Sequence, residues 1–179
     1  ESVKGTALTF GENIPYSTTY KMPEGYKLGS VTGQFTITSD ANSNVIKVVY
    51  VKDTFGYTVN YYQDSLDGAK IGTDGGTAEF GKDVTSLVNS NLYKPEGYKN
   101  GVVSGQTVIT AVTTDNVINV LYTKDSFDYT IKYYKDSVSE DNFINETKVN
   151  DAVFNSNITV DKFAFLSEVP GYEGPGTVD

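Results

Sequence analysis

The chain repeats itself at a spacing of 72 residues. Pro23-Glu24-Gly25-Tyr26-Lys27 returns as Pro95-Glu96-Gly97-Tyr98-Lys99, and the two copies then run in register without a gap. Val31-Thr32-Gly33-Gln34 matches Val103-Ser104-Gly105-Gln106, and Asn44-Val45-Ile46 matches Asn116-Val117-Ile118. Tyr50-Val51-Lys52-Asp53 matches Tyr122-Thr123-Lys124-Asp125, and the six residues from Tyr57 match the six from Tyr129. A third, partial copy ends in Pro170-Gly171-Tyr172. A fixed period of this length restricts the fold to an array of one small module, and arrays favour reach and multivalency over chemistry. The 179 residues divide into a partial first repeat (1–54), a complete second repeat (55–126) and a partial third repeat (127–179).

Composition narrows the class further. Fourteen Tyr and nine Phe, with many Val, Ile and Thr, are a strand-rich diet. There is no Cys, so no disulfide braces the small modules. There is no His, which removes the usual metal ligand and the usual general base near neutral pH. A serine triad is therefore impossible, and the chain reads as a non-enzyme without a cofactor. All 14 basic residues are Lys, so no bidentate fork is present for phosphate. A net charge of -9 repels nucleic acid and anionic lipid. No apolar run is long enough to span a membrane. The chain begins inside a repeat, so it is expected to be a fragment, and the lack of a leader says nothing about export.

The second repeat carries the pattern most completely. Tyr57 to Tyr62 alternates as a first strand. Asp64-Ser65-Leu66-Asp67-Gly68 is a turn, and Ala69 to Phe80 holds a second strand weakened by Gly72, Gly75 and Gly76. Val84, Leu87, Val88 and Leu92 then follow helical spacing, with Asp83 as N-cap, which predicts a short helix from Asp83 to about Leu92. Pro95-Glu96-Gly97-Tyr98 ends it in a turn. Val102 to Val112 is a third strand with Gly105 as a bulge, and Val117 to Tyr122 a fourth, with Ile118, Val120 and Tyr122 on one face. Strand, strand, helix, strand, strand is the layout of a β-grasp, an α+β fold in which the helix covers one face of a mixed sheet. The alternative is an all-β sandwich in which the helical segment is a loop.

Only Asp53-Thr54-Phe55-Gly56 separate the fourth strand of one repeat from the first of the next. Such a short joint predicts a semi-rigid rod. Phe55 and Phe127 sit in it, either as the module-to-module contact or as members of strand one. The first copy lacks its strand one and the third its strand four. An unpaired edge at each end would be open to self-association with another chain.

The Tyr-rich first strand, the Pro-Glu-Gly-Tyr element (Pro-Gly-Tyr at Pro170-Gly171-Tyr172) and the closing Val117-Ile118-Asn119-Val120-Leu121-Tyr122 strand resemble the MucBP (mucin-binding protein) repeats of Gram-positive surface proteins. Glu24 and Glu96 are insertions relative to that pattern. The resemblance implies tandem ubiquitin-like β-grasp modules on a wall-anchored or secreted bacterial protein, with adhesion to host mucin, another glycoprotein or a glycan as the implied role. It brings no catalytic motif.

Three groups of side chains are candidates for chemistry. Asp64 with Asp67, and Asp136 with Glu140 and Asp141, offer hard oxygen ligands for calcium, or are solvated turn formers. Lys52 and Lys124 with Asn44 and Asn116 offer an isopeptide crosslink, or are exposed strand ends. Tyr62 and Tyr134 break the strand alternation, so one ring of each Tyr-Tyr pair points away from the core, to stack on a sugar or to pack on neighbours. The expected function is a multivalent adhesin stalk; the alternative is a non-binding spacer or a self-assembling filament repeat.

Overall fold

The structure is a computed structural model that describes residues 7–172. Its described residues form eight strands and four single 3₁₀ turns, a sheet-rich mixed architecture. Strands β1 (Tyr26–Gly33) and β2 (Ile46–Lys52) form an antiparallel pair. Strands β3 (Thr54–Gln63), β4 (Lys70–Glu79), β5 (Val102–Gly105) and β6 (Val117–Tyr122) form one four-stranded sheet in the order β4-β3-β6-β5. Strands β7 (Ser126–Tyr134) and β8 (Phe143–Val153) form a second antiparallel pair.

The four-stranded sheet is mixed. β3 and β4 are a hairpin whose turn passes through Asp64 in the left-handed region, at φ 63°. β5 and β6 are antiparallel, while β3 and β6 run parallel from Thr58↔Val117 to Gln63↔Tyr122. The period-2 pattern read from the sequence decides which face is dry. Ile118, Val120 and Tyr122 of β6 and Tyr61 of β3 have no exposed surface. Val59, Ala78, Val84, Tyr98 and Ile109 complete this core.

The helix expected from Asp83 to Leu92 is replaced by one 3₁₀ turn, Thr85–Leu87. The apolar spacing does mark packing residues: Val84 is fully buried, and Val88 and Leu92 lie against the core. Leu87, however, points to solvent. The segment is poor in helix formers, and its Asp and Asn side chains serve the backbone locally instead. Asp83 Oδ1 accepts from the Thr85 N–H at 2.8 Å, and Asn89 Oδ1 from the Asn91 N–H at 3.0 Å. Three-residue backbone bonds such as Leu87 N–H to the Val84 carbonyl, 2.8 Å, take the place of a helical ladder. The matching stretch of the first copy is not helical either: Asn13 bridges Thr36, and the Ile14 N–H donates to the Phe35 carbonyl at 2.8 Å.

The third strand also ends sooner than the expected Val112. It stops at Gly105, whose φ of +95° turns the chain out of the ladder. A Cβ there would lie 2.6 Å from the Val117 carbonyl oxygen, so only glycine fits this approach. Beyond it Val108 bridges Asp83, and Ile109 turns into the core.

Tyr61 and Tyr122 stack at 6.3 Å inside the core, their hydroxyls donating to the Asn89 and Leu92 carbonyls. Burial pushes the Tyr61 hydroxyl up from 10.0 to about 12, with neighbouring Asp74 adding to the shift, and burial raises Tyr122 as well. A phenol whose folded pKa is raised supports the fold fully below pH 10.0, and that support is lost as pH climbs toward 12. Stability to urea should therefore be flat near neutrality and fall between those two values, with tyrosinate absorbance rising as the sheet melts. Ile118→Ala, which opens a hole between β3 and β5, should cost about 2–5 kcal/mol in the same denaturation assay.

Candidate functional site

The acidic turns do not gather. Asp64 Oδ2 accepts from the Tyr98 hydroxyl at 2.9 Å, and Asp136 Oδ2 from the Tyr172 hydroxyl at 2.9 Å. Glu140 and Asp141 sit in a separate 3₁₀ turn. Among the described residues no three acidic side chains form a group that could hold a metal ion.

Asn116 is fully buried, but backbone consumes its amide. Its Oδ1 accepts from the Thr110 N–H at 2.8 Å and hydroxyl at 2.9 Å, while its Nδ2 donates to the Thr110 and Gly56 carbonyls at 3.0 Å each. Asn44 holds Thr38 in the same way, at 2.8 Å and 3.0 Å. These asparagines fasten a loop to a strand. Each lies before the start of a strand, β2 or β6, and Lys52 or Lys124 lies at or just past that strand's far end. Tyr62 is half-buried beside the fully buried Tyr61, and Tyr134 packs edge-on against Phe143 at 5.7 Å.

A groove of about 390 Å³ opens between β7 and the segment that crosses it, lined by Tyr133, Ile144, Val160, Leu166 and Tyr172. It lies over the face that corresponds to the closed core of the four-stranded sheet. Lys135, Asp136 and Lys162 also line it, so its wall is mixed apolar and charged.

The residues that do converge form the joint between sheets. Gly25 lies just before β1 with φ +76°, and its carbonyl accepts from the Asp53 N–H at 2.8 Å. Asp53, the single residue between β2 and β3, in turn accepts the Phe80 N–H at its own carbonyl, 2.9 Å away. Its carboxylate holds the Thr54 N–H and the Lys27 ammonium, both at 2.8 Å. Lys27 first, and then the Thr54 N–H, hold this carboxyl below its usual value.

The Phe80 ring closes the joint. It sits on Gly25 so closely that a Cβ there would be 2.2 Å from Cγ, and it contacts Tyr26 and Phe55 edge-on, each at 6.3 Å. Phe55 thus belongs to β3 and also lines the joint.

The second joint copies the first. Gly97, again at φ +76°, accepts from the Asp125 N–H at 2.8 Å, and Asp125 accepts from the Phe154 N–H at 2.8 Å. The Ser126 N–H donates to Asp125 Oδ1 at 2.8 Å. Phe154 covers Gly97 and meets Tyr98 at 6.3 Å and Phe127 at 6.1 Å.

Phe80 and Phe154 are joint residues that the repeat pattern did not single out. Their signal is a Phe followed by a residue able to adopt positive φ: Phe10-Gly11, Phe80-Gly81 and Phe154-Asn155. The spacings are 70 and 74 residues rather than 72, because the hairpin and covering loops differ in length between copies.

Gly25→Ala and Gly97→Ala test the joint. Each puts a methyl into the Phe ring and a Cβ on a left-handed residue, at a cost of about 1–2 kcal/mol for the backbone alone. Expulsion of Phe80 or Phe154 should appear as a broader distribution of intraparticle distances in small-angle scattering. Hydrogen exchange at Asp53 or Asp125 should accelerate, while the amides of β3 and β6 stay protected.

No family model, curated protein or solved structure matches this chain.

Proposed function

We propose that the chain is a run of tandem β-grasp repeats (the first within 1–54, the second 55–126, the third within 127–179) from a Gram-positive surface protein. It projects from the cell wall through a part of the protein outside this sequence, and binds host mucin or another glycoprotein weakly at each repeat. The carrying observation is the joint. The same Gly, Asp and Phe contacts bind β1–β2 to the four-stranded sheet and that sheet to β7–β8. A single residue between β2 and β3 leaves little freedom to swivel. Such stitching suits a chain that transmits position over distance.

The strand order β4-β3-β6-β5, with β3 and β6 parallel, supports the β-grasp reading; the covering layer is irregular where that fold has its helix. Tyr62, partly buried with some of its ring at the surface, gives the adhesion reading an aromatic edge of the kind that stacks on sugars. The second reading, a spacer or self-assembling repeat without a glycan ligand, is favoured by the rarity of exposed aromatic surface on the four-stranded sheet, whose Tyr61, Tyr98 and Tyr122 are all buried.

Two measurements separate these. Scattering from the whole chain should give an extended particle with a narrow length distribution. On a mucin-coated sensor, single chains should bind weakly, and chains displayed densely on beads should be retained at least about tenfold longer, as multivalency requires. A rod that ignores mucin at every display density removes adhesion and leaves the spacer. A compact or freely jointed particle removes the projecting array altogether.

A further inference from the structure

We propose that the complete repeat carries tension along the chain, with the parallel pair β3–β6 as its force-bearing clamp. The clamp follows from strand order alone; that the chain meets tension rests on the projecting array proposed above. β3 is the first strand of the four-stranded sheet and β6 the last, and they lie side by side in parallel from Thr58↔Val117 to Gln63↔Tyr122. A pull along the chain enters at Asp53, just before β3, and leaves through Thr123 to Asp125, just after β6. It drags β3 toward its start and β6 toward its end. Parallel strands drawn in opposite directions slide along each other, so all the bonds between them are loaded at once and yield together. An antiparallel hairpin drawn apart at its open end loses its bonds one after another instead. β4, the covering segment and β5 lie between the clamp strands in sequence, and the pull reaches them only after the clamp gives.

The two loaded ends carry extra bonds. Where the pull enters, the Thr58 N–H donates to the Asn116 carbonyl at 2.9 Å. The buried Asn116 side chain adds a bond two residues beyond the ladder, from Nδ2 to the Gly56 carbonyl at 3.0 Å. Where the pull leaves, the Asp64 N–H donates to the Tyr122 carbonyl and the Lys99 N–H to the Thr123 carbonyl, each at 2.9 Å. By alternation the Asn60 and Tyr62 N–H groups, between these ends, also point at β6. A stretched bond that water can reach is exchanged for a bond to water, so burial decides how long the clamp holds. Tyr61, Ile118, Val120 and Tyr122 seal one face completely, and Asn60 on the other face is only 8% exposed. The joints deliver the force to the strands rather than to a slack linker, because Asp53 and Asp125 are each fixed at both backbone groups. With no Cys, no disulfide shares the load.

The same lack of Cys makes engineered cysteines unique handles for pulling single whole chains at one speed. Thr54→Cys with Thr123→Cys loads the start of β3 against the end of β6, the direction of the native pull. Asp67→Cys with Thr123→Cys loads the two strands at one shared end, and Thr54→Cys with Asp115→Cys at the other, so both pairs peel β6 from β3. All four positions are exposed, so urea midpoints should be the same for the three chains. Forced unfolding reads the barrier along the pulled direction rather than equilibrium stability. The first pair should therefore unfold in one step at a force severalfold above either of the others. A force for the first pair that fails to exceed both peeling geometries overturns the proposal. Neither result bears on mucin binding or on the scattering of the whole chain, so the adhesive array stands or falls separately.

Discussion

The parallel pairing of β3 with β6 is the constraint on which the rest of the structure depends. It joins Thr58 to Val117, 59 residues apart in the chain, with β4, the covering segment and β5 lying between them. The dry face is made of these two strands and what packs on them: Val59 and Tyr61 from one, Ile118, Val120 and Tyr122 from the other. A strand pair of such long sequence separation has a large loop-closure entropy to overcome before it gains anything. The hairpins β3–β4 and β7–β8, by contrast, are local.

The joint follows from that central placement. β3 starts one residue after β2, so the chain passes directly from one sheet into the middle of the next. Asp53 has no room to turn away, and both its backbone groups are used, the N–H on Gly25 and the carbonyl on Phe80. Asp125 repeats both bonds between Gly97 and Phe154. These contacts are backbone hydrogen bonds and aromatic edges, which neither salt nor pH near neutrality alters much. Only the first joint adds an ion pair, Lys27 with Asp53, and its partners are half in solvent, where such pairs contribute little.

Much of this was legible in the sequence, because period-2 alternation reports burial directly. The face Ile118, Val120, Tyr122 emerges as read, and Tyr57 to Tyr62 falls inside β3. The spacing from Asp83 to Leu92 predicts a helix where a single 3₁₀ turn forms, because apolar spacing reports which residues face a core, while the backbone state depends also on propensity. Val84, Val88 and Leu92 do face the core, but Asp83 and Asn89 draw their neighbours' N–H groups away from a helical ladder. Asn44 and Asn116 were singled out because they recur. Their recurrence is structural: each is spent on Thr38 or Thr110, a fact that no spacing reveals. Phe80 and Phe154 escaped notice because a fixed period cannot align segments whose intervening loops change length.

The open edges show how the same alternation can both expose and restrain a strand. On β2 and β7 the inward residues Ile46, Val48, Ile131 and Tyr133 are apolar, and the outward set includes Lys47 and Lys132. Lysine on an outward edge position is a common guard against indiscriminate pairing. It penalises close approach by setting like charges opposite one another. An edge built in this way discriminates by register. A strand shifted by one residue would turn its apolar side chains toward solvent and lose the burial that offsets the repulsion.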